Sequence, residues 1–249
     1  MTPKTKKKEE IKEKIEKTEE KTEKEKRKLV IPGEKIISGT EFLPGDGTRK
    51  EGNDILASRY GLADVSGRLV KIIPLSGGYV PRYGNTIIGK VTDISFNGWM
   101  VDIGSPYGAF LPVAEVPRYI HKDNLAEFLD IGDVIACKVL SFKRKSIDLS
   151  IQGKGLGKLD GGIIMKINSN KVPRVIGKEG SMIKLIKQST NSDIIVGQNG
   201  LIWIKASEIE NELQAKESIL FIVNRSYIDG LTEKVKEFLE EKNGRSKKD

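Results

Sequence analysis

The sequence contains one cysteine and one histidine, so the two side chains most often used as metal ligands, nucleophiles or general bases are nearly absent. A single cysteine, Cys137, excludes disulfides and thiolate zinc sites within one chain. It lies in the apolar run 133–140, where a small buried thiol is expected. His121 has no second histidine to act with, so we expect a surface residue rather than a general base or a metal ligand. The sequence predicts no cofactor and no metal.

Long apolar runs and catalytic motifs are also missing. No apolar stretch reaches the roughly 20 residues of a membrane span, and the Lys-rich N-terminal segment lacks the hydrophobic region of a secretory signal. There is no Ser/His/Asp grouping, no phosphate loop of the nucleotide-hydrolase type and no carboxylate cluster at metal-binding spacing. We therefore expect a cytoplasmic protein without contact to a membrane and without enzymatic activity of its own.

Positive charge is abundant. Lys and Arg number 43 against 35 Asp and Glu, which gives a net charge of +8 and favours a polyanionic partner. Part of this excess lies in residues 1–28, which are almost entirely Lys, Glu and Thr. Such a segment buries too little apolar surface to offset the entropy of ordering it. Residues 1–28 are predicted to be a disordered charged tail.

Three stretches with different patterns follow this tail. Residues 29–81 have short β-rich runs between Gly and Pro turns, which predicts a small N-terminal β domain. Residues 82–152 fit a five-stranded barrel, with strands expected at 85–94, 98–103, 108–112, 134–142 and 146–151. Residues 153–249 begin with a Gly-rich link, predicted to be flexible over 153–158. They continue as β-α-loop-α-β-β-α, with helices expected at about 172–176, 181–189 and 209–223, and end with an amphipathic helix expected over 231–239.

The loop Gly177-Lys-Glu-Gly180 connects two predicted helices. Two glycines at this spacing let the chain turn tightly and let a phosphate approach without an obstructing Cβ. The helix that starts at Ser181 directs its free amides and positive dipole end toward the same gap. In this order of elements the segment resembles the eukaryotic-type KH domain, whose GxxG loop grips about four nucleotides. The resemblance implies RNA contacts from Arg174, Gly177, Lys178, Gly180, Ser181 and Lys184. Glu179 departs from the basic or neutral residues usual in this loop.

The barrel resembles the RNA-binding domain that is repeated in ribosomal protein S1, an OB fold. The residues that carry this resemblance are 88–94, 96–103, 132–135 and 147–150. OB folds bind nucleic acid across their second and third strands, where aromatic side chains stack on bases. Either Phe96 or Trp99 is expected to face outward, since strand alternation favours only one of them. The implied RNA contacts are Lys90, Phe96, Trp99, Arg118, Lys122, Lys143, Arg144 and Lys145.

The order of the three modules resembles the KH-bearing RNA-binding cap subunit of the archaeal exosome. Supporting residues are 30–34, 77–81 and 83–89. The resemblance implies a multidomain β and α+β protein that binds single-stranded RNA and sits in three copies on a hexameric ring of RNase-PH-like subunits. Residues 29–81 would dock it to this ring. Two alternatives stay open: an S1/KH transcription elongation or other RNA-binding factor, and a fragment of a polynucleotide phosphorylase-like enzyme.

Overall fold

The computed structural model describes residues 28–121, 124–143, 146–225 and 230–245. The chain divides into two compact units between Gly77 and Gly78. The described part of the first unit contains strands and turns, whereas the second unit contains a β-barrel and an α+β domain. The predicted fold class, multidomain β and α+β, is confirmed. Of the predicted tail, all but Lys28 lies outside the described residues.

The described part of the first unit, residues 28–77, contains seven short strands in two sheets. One sheet has the order β1-β6-β7-β3 and the other β2-β5-β4. The strands are β1 (Lys28–Val30), β2 (Lys35–Ser38), β3 (Leu43–Pro44), β4 (Thr48–Glu51), β5 (Asp54–Ala57), β6 (Gly61–Ser66) and β7 (Leu69–Pro74).

The larger sheet of this unit has one buried face and one exposed face. Val30, Ala63 and Ile72 point into a small core that they share with Ala57 of the other sheet. Alternation along the strands then places the neighbouring apolar residues on the opposite face. The resulting row, Leu29, Leu62 and Ile73, is described with the candidate interface below.

The barrel begins the second unit and has five strands. Its sheet has the order β12-β10-β9-β8-β11, and the pairing of β11 with β12 closes it. The short helix α1 follows the third strand, as a connection between β10 and β11. The elements are β8 (Thr86–Ser95), β9 (Gly98–Asp102), β10 (Gly108–Pro112), α1 (Leu125–Phe128), β11 (Val134–Lys143) and β12 (Ser146–Ser150).

The end of the Gly-rich connection after the barrel forms a strand, so the prediction of a flexible link over 153–158 is wrong for residues 157 and 158. Strand β13 (Gly157–Lys158) extends the barrel sheet by pairing with Ile135 and Ala136 of β11. Lys158 also forms a 2.7 Å ion pair with Asp133. The flexibility was predicted from the glycine content. Backbone hydrogen bonds need no side chain, so a glycine-rich segment can still pair with a neighbouring strand.

The α+β domain has a three-stranded antiparallel sheet of order β14-β16-β15, with helices packed on one face. Its last helix, α5, packs on the domain through Leu231, Val235 and Leu239, which are buried in the domain core. This agrees with a helix that covers an apolar patch. The elements are β14 (Ile163–Lys166), α2 (Val172–Ile176), α3 (Ser181–Thr190), β15 (Ser192–Val196), β16 (Leu201–Ala206), α4 (Ile209–Asn224) and α5 (Leu231–Arg245).

The hairpin turn between β15 and β16 joins the α+β domain to the barrel. The buried side chain of Asn199 donates hydrogen bonds to the carbonyls of Ile88 (2.7 Å) and Ile103 (2.9 Å). Beside it, the backbone amide of Gln198 donates to the Thr86 carbonyl at 2.8 Å. Ile88 lies outside the barrel core yet is fully buried. The barrel and the α+β domain therefore belong to one unit with a specific polar joint.

Candidate nucleic-acid interface

The GxxG loop between α2 and α3 has the backbone conformation that its glycines predict. Gly177 ends α2 with φ +74°, and Gly180 precedes α3 with φ +76°. Between them Glu179 also has a positive φ, +53°, which is uncommon for a residue with a Cβ. At the start of α3 no side chain among the described residues caps the helix. The Ser181 amide itself is engaged, because it donates to the Lys178 carbonyl.

A cleft of about 350 Å³ lies beside this loop. It brings together Arg174, Gly177, Lys178 and Ser181, four of the six predicted contact residues. The start of α5, residues 230–232, forms part of the other wall. Gly180 and Lys184 are not among the lining residues; Lys184 Cε would lie 3.9 Å from a Cβ added at Gly180, so the two are neighbours.

The cations around the loop differ in whether another part of the described chain engages them. Within the described ranges, Arg174, Lys178 and Lys184 form no ion pair. Lys171, by contrast, donates to the Val223 carbonyl at 2.9 Å, near the C-terminal end of α4, where a cation also meets the negative end of the helix dipole. Lys171 is therefore part of the scaffold, whereas the other three can receive phosphate.

The two aromatic candidates of the barrel have opposite positions. Trp99 is fully buried in the barrel core, and its indole N–H donates to the Leu129 carbonyl at 2.9 Å. A base cannot reach this ring, so the prediction of a contact between Trp99 and RNA is wrong. Phe96 lies in the turn between β8 and β9 and is 77% exposed. It is the one of the pair that can stack on a base.

The basic candidates of the barrel are only partly described. Lys90 is an exposed residue of β8, opposite Asp102 of β9. The Arg118 guanidinium lies 4.8 Å from the centre of the Phe128 ring. Lys143 ends β11. The predicted contacts Lys122, Arg144 and Lys145 lie outside the described residues.

The outward face of the barrel strands is more acidic than the resemblance suggested. Met100 of β9 has Asp93 of β8 opposite it on one side and Phe110 of β10 on the other. Phe110 in turn pairs with Asp148 of β12. Asp102 lies further along β9, and Lys90 is its cross-strand neighbour. These three carboxylates offset the positive charge of Lys90 and of Lys138, an exposed residue of β11, so the outward face is less favourable for a phosphate backbone than the resemblance implies.

Tyr119, an exposed aromatic residue of the barrel domain, was not identified from the sequence. Tyr119 is 91% exposed in the connection between β10 and α1, and it follows Arg118 directly. The cationic residues Arg118 and Lys122, which lie on either side of Tyr119 in the sequence, are the signal that could have identified it.

The first unit presents an apolar row on its exposed face. Leu29, Leu62 and Ile73 lie directly opposite one another across β1, β6 and β7. Leu29 and Ile73 are exposed, and Leu62 is half-buried. Asp64 and Lys71 form the next row, with a 3.2 Å ion pair. An apolar row with a polar margin is typical of a surface that contacts another protein.

The described residues contain neither a candidate metal site nor a reactive cysteine. No group of three or more His, Cys, Asp and Glu side chains there could hold a metal ion. Burial raises the pKa of the Cys137 thiol to about 12, so this thiol stays protonated at neutral pH and cannot act as a thiolate nucleophile. Of the described helices, none combines the length and the apolar composition that crossing a membrane requires.

Comparison with known proteins agrees with this architecture. Residues 80–152 match the family model of the S1 RNA binding domain, and residues 162–210 match that of the KH domain. A crystal structure described as an exosome complex RNA-binding protein superposes with a TM-score of 0.61 at 36% identity, covering 68% of this chain and 99% of that one.

Curated relatives match over a longer range. Exosome complex component Rrp4 of Methanothermus fervidus is 42% identical over 214 residues, which is 86% of this chain and 95% of the relative. The Pyrococcus furiosus protein of the same name is 44% identical over 219 residues, 86% of this chain and 83% of the relative. That of Nitrosopumilus maritimus is 38% identical over 222 residues, 88% of this chain and 98% of the relative. Because proteins of this similarity match over most of both chains, the chain belongs to the family of the archaeal exosome complex component Rrp4.

Proposed function

We propose that the protein is a non-catalytic RNA-binding subunit of the exosome that binds single-stranded RNA and delivers it to the 3'-5' phosphorolytic ring. The observation that carries this proposal is the cleft at the GxxG loop. Arg174 and Lys178 line it without an ion pair to any other described residue, and the uncapped start of α3 adjoins it. Cations without an ion pair beside the positive end of a helix suit the phosphates of a nucleic acid.

The joint between the two RNA-binding modules supports the same proposal. Asn199 of the KH domain bonds to backbone groups of Ile88 and Ile103 in the S1 domain. A strand of RNA that contacts one module therefore meets the other at a fixed position. When two modules are held in a fixed arrangement, the second contact is intramolecular and adds to affinity without a new diffusional encounter.

We propose that the first unit docks the protein to the ring. The exposed row Leu29, Leu62 and Ile73 would lie against RNase-PH-like subunits, with three copies of the protein on a hexameric ring. The support is the apolar character of this row, since isolated sheet faces of this kind are stabilised when a partner covers them. We also propose that the protein is cytoplasmic, as the sequence predicts.

RNA binding is tested with the full chain, a labelled single-stranded RNA and a salt series. The double variant Lys178→Ala/Lys184→Ala should bind more weakly. Its plot of log affinity against log salt should be flatter by about 1.4, since each phosphate contact contributes about 0.7. Lys216→Ala is the matched control, because Lys216 is an exposed lysine on α4, away from the loop. If the double variant bound like the unaltered protein, the GxxG cleft would not be the phosphate site.

Delivery and the absence of catalysis are tested with and without ring subunits. The isolated protein should not degrade RNA in the presence of phosphate. Addition of the protein to purified ring should form a complex and accelerate degradation of a single-stranded substrate. Degradation by the isolated protein, after contaminating nuclease has been excluded, would favour the polynucleotide phosphorylase-like alternative. RNA binding without any association with the ring would favour the elongation-factor alternative.

A further inference from the structure

One end of the S1 barrel displays two aromatic side chains. Phe96 lies in the turn that joins β8 to β9, and Tyr119 lies in the connection that follows β10. The two connections meet at this end, because the Val113 amide donates to the Asn97 carbonyl at 2.9 Å. Phe96 is 77% and Tyr119 91% exposed. Both rings thus present most of their surface to solvent at the same end of the barrel.

Tyr119 is held outward by neighbours that are anchored on the barrel. Arg118, on one side, places its guanidinium 4.8 Å from the Phe128 ring centre, and Phe128 itself contacts Trp99 with ring centres 5.8 Å apart. Ile120, on the other side, packs against the barrel core. A side chain displayed between two anchored residues loses little backbone entropy when it meets a ligand.

The chemistry of this end suits an unpaired base. An exposed aromatic face accepts any base by stacking, and a neighbouring guanidinium attracts the phosphate that follows it. The outward strand face offers less, because Asp93, Asp102 and Asp148 surround its apolar residues. The end of the barrel is therefore better suited to a strand of RNA than its outward side.

We propose that Tyr119 is a base-stacking residue of the S1 domain, that Phe96 provides a second stacking surface at the same end, and that single-stranded RNA crosses the barrel there. The inference rests on the proposed RNA-binding function and assigns residues to it. Arg118 neutralises a phosphate beside the stacked base. The ligand class is single-stranded RNA with little preference for base identity, since each of the four bases has a face that can stack.

Substitutions that keep or remove the ring test this assignment in the full chain. Tyr119→Ala and Tyr119→Leu should weaken binding of single-stranded RNA about 5- to 150-fold, the range expected for loss of one stacked base. Tyr119→Phe should bind like the unaltered protein. Tyr119→Ala should leave the salt dependence unchanged, whereas Arg118→Ala should flatten the slope by about 0.7. Tyr83→Ala is the matched control, because Tyr83 is 80% exposed and precedes β8 at its other end.

A fluorescent reporter provides a direct readout. In Tyr119→Trp the new indole should be quenched when RNA is added, against a small response from the buried native residues Trp99 and Trp203. Tyr83→Trp should show no such quenching. Unchanged affinity of Tyr119→Ala, with no quenching in Tyr119→Trp, would overturn the inference and leave RNA binding at the GxxG cleft intact. Loss of ring association with normal RNA affinity would also overturn it, since Tyr119 would then contact protein. If the unaltered protein bound no RNA, the proposed function would fail together with this inference.

Discussion

Asn199 and Ile88 are joined by two hydrogen bonds of opposite direction across the junction of the two RNA-binding modules. The Asn199 amide nitrogen donates to the Ile88 carbonyl at 2.7 Å, and the Ile88 backbone amide donates to the Asn199 side-chain oxygen at 3.3 Å. The same side chain donates to the Ile103 carbonyl. One buried carboxamide therefore satisfies three backbone groups of the barrel, in agreement with the rule that buried polar groups are hydrogen-bonded.

Asn199→Ala should destabilise the second unit, because backbone groups of Ile88 and Ile103 would lose their buried partner. The expected loss in free energy of unfolding is about 1–3 kcal/mol, measured by urea denaturation. Gln198→Ala is the control, since the bond of Gln198 to the barrel comes from its backbone amide. Equal stability of the two variants would show that the joint does not depend on the Asn199 side chain.

The two glycines of the GxxG loop should respond differently to substitution. A Cβ added at Gly177 would lie 2.8 Å from both Cβ and N of Met182, and its φ is +74°. Gly177→Ala should therefore lower stability, and Gly177→Asp is not a clean probe of phosphate contact. At Gly180 the nearest atom to an added Cβ is 3.8 Å away, so Gly180→Ala meets backbone strain alone. Thermal unfolding should rank Gly177→Ala as the less stable of the two.

Glu179→Gln should tighten RNA binding, because it removes a negative charge from the loop that would face phosphate. The positive φ of Glu179 is kept, since glutamine has the same backbone requirements. A salt series should show the largest gain at low ionic strength, where charges at this exposed loop are least screened. Weaker binding by Glu179→Gln would mean that the carboxylate contacts the RNA directly.

Substitutions of Trp99 and Phe96 in the S1 domain should affect stability and RNA binding separately. Trp99→Ala removes a fully buried ring and should cost about 3–5 kcal/mol in free energy of unfolding. Phe96→Ala should leave the unfolding midpoint nearly unchanged while it weakens RNA binding. If Phe96→Ala lowered the midpoint as much as Trp99→Ala does, Phe96 would be a structural residue.

Introducing charge on the exposed row of the first unit should disrupt ring association. Ile73→Lys places an ammonium beside Leu62, where a partner would have to desolvate it. RNA affinity of the isolated protein should stay unchanged, and co-purification with ring subunits should fail. Leu213→Lys is the control, as an exposed leucine on α4. Normal co-purification of Ile73→Lys would move the docking surface elsewhere.

The ion pair between Asp133 and Lys158 should make a contribution to stability that depends on pH. Burial alone would raise the pKa of Asp133. Hydrogen bonds from Lys158 and from the Asp130 amide, with the charge of Lys158, outweigh burial and lower it. The pair therefore stabilises the fold at pH above the ordinary aspartate pKa of about 4. This contribution is lost as pH falls through the lower folded-state pKa. Asp133→Asn should be less stable than the unaltered protein near pH 7 and should approach it in acid.

Local pattern was sufficient to predict most elements of the second unit. The five barrel strands, the helices on both sides of the GxxG loop and the long helix α4 lie within a residue or two of their predicted positions. Alternation of apolar and polar residues and the placement of glycine are properties of neighbours in the chain, so sequence carries them directly. The final amphipathic helix was predicted over 231–239 and continues to Arg245, since charged residues extend a helix without any apolar signal.

Contacts between distant segments could not be predicted in this way. Whether Phe96 or Trp99 enters the core depends on the closure of the barrel and on Leu129, thirty residues away from Trp99. Strand β13 of the Gly-rich link forms because it pairs with the edge of β11. The residues of the link do not show that this edge is available. By itself the sequence determined the modules, their order and the GxxG loop, because these follow from local periodicity and turn chemistry. Tertiary structure alone decided which aromatic rings are exposed, that three carboxylates share the outward face of the barrel, and that Asn199 locks the two modules together. Each of these requires side chains far apart in sequence to meet.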